Sequence, residues 1–110
     1  MPARPVLGLH EMVRRCNLNL NLDGIVIDGG QVDSNNANGN RQFGVMALAT
    51  ALVSHNVIAG NLRGLLAGGT LAYSGNILAN NTNGNFFVQG GFPAVFVNTG
   101  QNVCGTSLCP

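Results

Sequence analysis

The stretch that decides the fold is "NVIAGNLRGLLAGG", residues 56–69, which is followed by a variant of itself, "GNILANNTNGNFFVQGG", at residues 75–91. Both copies contain the pattern Asn-x-aliphatic-x-x-Asn, and both continue into an apolar run that ends in Gly-Gly. A fixed period near 20 residues is typical of solenoids, in which each repeat buries its apolar face against the next one. The repeat therefore predicts a stack of similar coils.

The same period extends through most of the chain. Four glycines are spaced by 20 residues: Gly24, Gly44, Gly64 and Gly84. Three asparagines share this spacing, and an aliphatic residue follows two of them: Asn36, Asn56 with Ile58, and Asn76 with Leu78. Upstream apolar residues are spaced by 20 and 19: Val32, Leu52 and Leu71. We predict that each set stacks in successive coils, with the asparagines about 4.8 Å apart in an amide ladder.

Composition and local pattern indicate that the coils consist of strands. The chain has 16 Gly, no Lys and only 8% charged residues, whereas helix surfaces are normally rich in Glu, Lys and Arg. Short apolar runs alternate with Asn-Gly and Gly-Gly breaks, which favour turns and exclude long helices. Three short strands and three turns fit one repeat. We therefore predict an all-β parallel β-helix.

The recurring "NVIAGN…RGLLAGG" and "GNILANN…NGNFFVQGG" resemble right-handed parallel β-helix proteins of the pectate-lyase-like superfamily. The closing "GQNVCGTSLCP", residues 100–110, is similar to the C-terminal end of uncharacterised bacterial members. The resemblance covers residues 17–110 and implies a right-handed β-helix of four to five coils, in a short or truncated member. One departure is Asn85, which stands where an aliphatic residue follows the other three glycines and displaces Phe86 by one residue.

The ends of the chain depart from the repeat, which predicts three segments: a cap or non-repeat segment at 1–16, the coils at 17–91 and a C-terminal cap at 92–110. Four residues at helical spacing predict a short N-terminal capping helix: Leu9, Met12, Val13 and Cys16. Residues 92–100 supply an apolar lid, with Pro93 ending regular pairing. Cys104 and Cys109 form a disulfide if the protein is exported, or remain two thiols. Cys16 is a small buried residue or a reactive thiol.

Few residues suggest catalysis. The acids Asp23, Asp28 and Asp33 precede or follow turns, where such side chains usually bond the backbone, and no acid follows Asp33. Arg41 and Arg63 project from neighbouring coils as solvated residues or as bases of a lyase. The sequence around the two histidines, His10 and His55, lacks a zinc motif. We predict no catalytic residues, no cofactor and no metal site.

Aromatic residues collect near the C-terminus: Phe86, Phe87, Phe92 and Phe96. They fill a cap or form a surface that stacks on sugars or a partner. The single tyrosine, Tyr73, is expected on the outer wall.

Two functions from different classes follow from these patterns. The first is a non-catalytic structural, surface or glycan-binding module, which is the C-terminal fragment of a larger exported protein. The second, implied by the resemblance alone, is a polysaccharide lyase or glycoside hydrolase. Expected partners are carbohydrate, further coils of a longer β-helix, or a second copy at open coil ends. A net charge of +1 argues against nucleic acid, and no segment is apolar enough to span a membrane. Secretion or surface display is expected as part of a longer chain, although no signal peptide is visible in this sequence.

Overall fold

The computed structural model describes residues 6–7, 11–89 and 94–109, which form an all-β parallel solenoid of about four turns. Each turn visits three sheets, named A, B and C, with a corner between successive sheets. The predicted all-β solenoid is therefore confirmed. The described residues contain no helix.

Sheets A and B each contain five strands, numbered here along the chain. Sheet A has the order β1 (Val6–Leu7), β3 (Ile25–Ile27), β5 (Phe43–Ala47), β8 (Arg63–Ala67) and β11 (Phe86–Val88). Sheet B has the order β2 (Glu11–Arg14), β4 (Gly30–Asp33), β6 (Ala51–Ser54), β9 (Thr70–Ser74) and β12 (Val95–Gly100). All neighbours in both sheets are parallel, as one chain winding in a single direction requires.

Sheet C is shorter and ends differently. Its strands are β7 (Val57–Ala59), β10 (Ile77–Ala79), β13 (Val103–Cys104) and β14 (Ser107–Leu108). In the earlier coils its place is taken by isolated parallel bridges of Asn36 with Asn17 and Val57. The pair β13–β14 is antiparallel, so the chain reverses direction at the C-terminal end of this sheet.

The core is a set of columns that run along the solenoid. In sheet A, Ile25, Val45 and Leu65 pair in register and are fully buried. In sheet C, Ile58 and Leu78 pair in register and are also fully buried. Burial of one such side chain is worth about 1.5–3 kcal/mol. Because each coil covers the apolar face of the next, the coils are stable only together.

A ladder of buried asparagines lines the corner between sheets B and C: Asn35, Asn56, Asn76 and Asn102. Each of the first three donates a hydrogen bond from Nδ2 to Oδ1 of the next, at 3.0, 3.0 and 2.9 Å. Nδ2 also donates to the backbone of the preceding coil, as from Asn56 to Val32 O at 3.0 Å. Oδ1 accepts a backbone N–H as well, as from Asn35 N to Asn56 at 2.9 Å. The ladder thus satisfies buried main-chain groups at the corner.

A second ladder lines the corner between sheets C and A, where Asn40 donates to Asn61 at 2.8 Å and Asn61 donates to Asn81 at 3.0 Å. It packs against the glycine column. A Cβ atom on Gly44 would lie 2.8 Å from Asn61 Nδ2 and 2.5 Å from Ile58 Cγ2. These are distances that real Cβ atoms do not adopt, so this column requires glycine.

Every ladder asparagine follows a residue in the left-handed conformation, which turns the chain and directs the next side chain inward. At the B–C corner, φ is 55–65° in Arg15, Ser34, His55, Gly75 and Gln101. At the C–A corner, φ is 55–68° in Leu20, Gly39, Gly60 and Asn80. In the first coil, Cys16 and Asn21 follow such a residue and donate their backbone N–H to the ladder asparagines of the next coil.

The prediction that Asn36 stacks on Asn56 is wrong by one residue. Asn36 is exposed, bridges Val57 in register, and donates to Asn17 Oδ1 at 2.8 Å. Asn35 takes the ladder position because the left-handed residue, Ser34, lies directly before it. The coil between Asn35 and Asn56 is therefore one residue longer than a strict period of 20.

Gly84 likewise lies outside the glycine column formed by Gly24, Gly44 and Gly64. Phe86 pairs with Leu65, one residue later than the period would place it, as the sequence around Asn85 indicated. A Cβ atom on Gly64 would meet the backbone of Asn85 and not that of Gly84. Asn85 thus takes the position assigned to Gly84 from the spacing.

The predicted apolar column of Val32, Leu52 and Leu71 is also wrong. Val32 pairs with Val53, and Leu52 pairs with Ala72 on the outer face of sheet B. Because strand side chains alternate between faces, a shift of one residue moves Leu52 from the core to the surface.

The predicted N-terminal helix is wrong over the residues that the structure describes. Met12 and Val13 lie in β2, which pairs in parallel with β4 and continues sheet B. Val13 is buried while Met12 is 46% exposed, which is the alternation of a strand. Cys16 is buried and carries a free thiol. Leu9 lies outside the described residues. Strand pairing thus begins ahead of the boundary expected at residue 17.

The C-terminal segment forms a strand and a closing hairpin. Residues expected to form a lid belong to β12, which pairs with β9 and extends sheet B; Phe92 and Pro93 lie outside the described residues. Cys104 and Cys109 form a disulfide across the β13–β14 hairpin, with a Cα–Cα distance of 4.9 Å. Cys109 is buried against the core. The hairpin therefore closes the end of sheet C.

We expect Asn56→Ala to lower the free energy of unfolding by at least about 3 kcal/mol, because each buried polar group left unsatisfied costs about 1–3 kcal/mol. The matched control is Asn36→Ala, whose exposed side chain should change stability by less than about 0.5 kcal/mol. Urea denaturation of both variants gives the two values. Equal losses would contradict the assignment of Asn56, and not Asn36, to the buried ladder.

Candidate functional site

The three aspartates lie at different positions of one coil. Asp23 precedes β3, is 1% exposed, and accepts a hydrogen bond on Oδ1 from the backbone N–H of Phe43 at 3.1 Å. Asp28 directly follows β3, at the opposite end of that strand from Asp23, and Asp33 is the last residue of β4. Since sequence positions about 20 apart stack, these carboxylates do not face one another across neighbouring coils. Asp23 connects two coils, which is a structural role.

A polar cluster surrounds Asp33 on the outside of sheet B, near the B–C corner. Ser54 donates its hydroxyl to Asp33 Oδ1 at 2.9 Å, and His55 Nδ1 lies 3.4 Å from the same oxygen. Arg14 Nη2 forms an ion pair with Oδ2 at 3.4 Å. The Ser54 hydrogen bond is the main cause that lowers the pKa of Asp33, with smaller contributions from His55, Ser34 and Arg14, and partial burial opposes them.

Serine, histidine and aspartate in this cluster do not form a nucleophile triad. In such a triad the serine hydroxyl bonds to the imidazole, and the carboxylate orients the imidazole from its other side. Here the Ser54 hydroxyl donates directly to Asp33, so His55 does not activate it. The His55 ring lies instead against Gly75, where an added Cβ atom would be 2.7 Å from Cδ2. The arrangement is suited to polar recognition and not to acyl transfer.

An open groove of about 490 Å³ lies beside this cluster on the outer face of sheet B. It is lined by Met12, Gly30, Gln31, Thr50, Ala51, Leu52 and Ala72. Three of its apolar residues share one outward row with Gln31: Met12, which is 46% exposed, Leu52, which is 40% exposed, and Ala72. Val97 continues this row on β12. The face therefore combines an apolar stripe with a flanking row of polar and charged side chains.

The aromatic residues divide between the core and the surface. Tyr73 is 2% exposed and packs against Phe86 and Phe96, with ring centroids 5.2 and 6.0 Å away. The expectation that Tyr73 lies on the outer wall is therefore wrong, and burial raises the pKa of its hydroxyl. These three rings pack around the end of the core. Phe87 instead faces outward, 6.0 Å from Phe43.

The guanidinium of Arg63 lies between the rings of Phe43 and Phe87. Its Cζ is 5.6 Å from the ring centroid of Phe43 and 5.2 Å from that of Phe87. Arg41 is exposed in the preceding coil, two residues before Phe43. The sequence suggested that both arginines project from neighbouring coils, but it gave no signal for the aromatic contacts, which join residues from three coils.

Histidine, cysteine and acidic side chains do not form a group of three or more that could hold a metal ion anywhere in the described ranges. Nδ1 of His55 lies 3.4 Å from a carboxylate oxygen of Asp33. His10 lies outside the described residues. Nor do the described ranges include a helix of sufficient length and hydrophobicity to cross a lipid bilayer.

Comparisons with known proteins give no match to this chain, whether with protein-family models, with curated proteins or with solved structures.

We expect Asp33 to stabilise the fold at neutral pH. Its pKa is lower in the folded chain than in the unfolded chain, where it is about 3.9, so its contribution is lost as the pH falls through the folded value. Asp33→Asn should therefore lose less thermal stability than the parent chain between about pH 7 and about pH 2.

Ser54→Ala removes the main cause of the lowered pKa and should show an intermediate loss. Melting temperatures of the three proteins at both pH values test this order. A loss in Asp33→Asn as large as that of the parent would show that Asp33 does not contribute.

Proposed function

We propose that the chain is a non-catalytic β-solenoid module that serves as a structural or glycan-binding wall. The observation that carries this proposal is the position of the recurring polar residues. The ladder asparagines are buried and bond to each other and to the backbone, as Asn56 bonds to Asn76 and to Val32 O. The polar residues that recur in the sequence are therefore those that hold neighbouring coils together.

The described acids support the same proposal. Hydrolysis of glycosides needs two carboxyl groups about 5–9.5 Å apart across a substrate. Asp23 is buried under the backbone of the next coil, and Asp33 is occupied by Ser54 and Arg14. No Asp or Glu follows Asp33 in the sequence, so later coils supply no second carboxylate.

We further propose that the module belongs to an exported bacterial protein of the pectate-lyase-like superfamily and forms its C-terminal part. The support is the resemblance of its repeats together with the parallel solenoid. The disulfide between Cys104 and Cys109 adds to it, because such bonds persist in oxidising compartments. The proposed location is the extracellular medium or the cell surface.

Carbohydrate polymers and further coils are the proposed partners. Among the described strands, β1 and β2 end sheets A and B at one end of the solenoid, β11 and β12 end them at the other, and each of these strands pairs on one side only. A strand with an unpaired edge offers backbone hydrogen bonds to another strand. The edge at β1 and β2 supports contact with preceding coils of a longer solenoid, and either edge supports contact with a second copy. The open groove on sheet B supports contact with an extended polymer.

A polysaccharide lyase or hydrolase is the second candidate. The observation in its favour is the position of Arg14, Asp33 and His55 beside the groove on sheet B. The ion pair between Arg14 and Asp33 opposes it, because a base must be free to take a proton from the substrate.

The test is incubation of the full chain with polyuronates and neutral polysaccharides, with and without added calcium, followed by measurement of new reducing ends and unsaturated products. We expect no turnover under any condition. Co-sedimentation with insoluble polysaccharides then separates a glycan-binding wall from a purely structural one. Turnover that disappears in Asp33→Asn, at a temperature where circular dichroism shows this variant to be folded, would replace the proposal by the enzymatic one.

A further inference from the structure

The guanidinium of Arg63 is a cation without a counter-ion in the described part of the chain. Its contacts there are with the rings of Phe43 and Phe87, at 5.6 and 5.2 Å from Cζ. Arg14 and His55 pair with Asp33 at the B–C corner, whereas Arg63 begins its strand in sheet A. Among the described residues, the guanidinium therefore faces aromatic rings and no carboxylate.

The two rings fix the direction of this side chain. They stand nearly perpendicular, at 83°, so the guanidinium lies in the angle between two walls. Phe43 pairs in register with Arg63 from the preceding coil, and Phe87 is supplied by the following coil. An arginine held in this way loses little conformational freedom on binding a ligand, since its planar fork is already oriented.

Only part of the Arg63 guanidinium group is accessible to a ligand. Nε of Arg63 is enclosed and has no hydrogen-bond partner, while the residue as a whole remains partly exposed. The two Nη atoms have no hydrogen-bond partner among the described residues and are not enclosed, so the end of the fork reaches solvent. Two parallel N–H donors at the end of the fork match the two oxygens of a carboxylate.

Among the described residues, the exposed charge at this end of sheet A is positive. Arg41 is exposed at the same corner in the preceding coil, and no acid follows Asp33 in the sequence. The one acid that precedes this strand column, Asp23, is buried and bonded to the backbone of Phe43. The resulting local potential favours the approach of an anion.

We propose that Arg63, framed by Phe43 and Phe87, is a binding site for a carboxylate-bearing ligand on the outer face of sheet A. The Nη atoms accommodate the carboxylate end-on, and the partly exposed ring of Phe87 contacts an adjoining apolar group. Arg41 increases the affinity through its charge. This site is separate from the groove and polar cluster of sheet B and does not depend on the function proposed above.

Benzoate is a suitable probe, because it joins a planar carboxylate to an apolar ring. The full chain, labelled with ¹⁵N, is titrated with sodium benzoate at constant ionic strength while the Arg63 Nε–H signal is followed by NMR. This proton is enclosed, so its exchange with water is slow enough for detection. We expect a saturable shift of this signal and of the amide signals of Phe43 and Phe87.

Substitutions distinguish the contribution of the planar guanidinium group from the contribution of its positive charge. Arg63→Lys keeps a cation between the rings but lacks the fork, and it should lose the saturable shifts of Phe43 and Phe87 while its melting temperature stays close to that of the parent. Arg41→Gln should weaken binding several-fold, and Arg15→Gln, an exposed arginine at the B–C corner, should leave it unchanged.

Sulfate is the matched anion. Because it is tetrahedral and lacks an apolar group, we expect small shifts that do not saturate. A linear response to benzoate in the parent chain, equal saturation by sulfate, or unchanged saturation in Arg63→Lys would each overturn the proposal.

Discussion

Buried main-chain groups at the corners are the constraint on which this solenoid depends. Strands satisfy their backbone through neighbouring coils, but a corner turns the N–H and C=O groups away from that ladder. Asparagine supplies both an acceptor and two donors on a short side chain, so one residue can bond the coil before it and the next asparagine. Asn56 does this with Asn35 N, Val32 O and Asn76 Oδ1. Removal of one ladder asparagine would therefore leave several buried polar groups without hydrogen-bond partners.

The same constraint explains the glycine column and the left-handed residues. The second ladder brings amide groups close to the start of each sheet A strand, where Asn61 Nδ2 leaves no room for a side chain at position 44. A left-handed residue before each ladder position turns the asparagine inward. Its cost is small in Gly or Asn and larger in Leu20 or His55. Each coil therefore repeats the same two asparagine-lined corners, and these corners set the positions of the strands between them.

The repeated polar residues bond to one another and to the backbone in the interior, so the polar and charged groups that a partner can reach lie on the outer faces. Sheet B carries an apolar row with a polar cluster around Asp33, whereas sheet A carries Arg63 between two phenylalanines. Neither set of residues recurs with the period. Side chains that break a repeat are free of its structural demands, and these are the positions where binding to a partner can differ from one solenoid to another.

The period, the parallel all-β architecture and the presence of an asparagine ladder were predictable from the sequence, because stacking requires equivalent residues at nearly equal spacing. A closer pattern was present: Asn35, Ala37 and Asn40 match Asn-x-aliphatic-x-x-Asn as Asn56, Ile58 and Asn61 do. The register at the first corner follows from the tertiary structure, which places Asn35 and not Asn36 in the ladder. Near the C-terminus the sequence around Asn85 indicated the shift of Phe86, and the structure added that Asn85 takes the place of Gly84 in the glycine column. The length of a coil varies by one residue where a corner accommodates the extra residue. In a strand, a shift of one residue moves a side chain from the core face to the solvent face. For the same reason the contacts of Arg63, made across three coils, had no signal in the sequence.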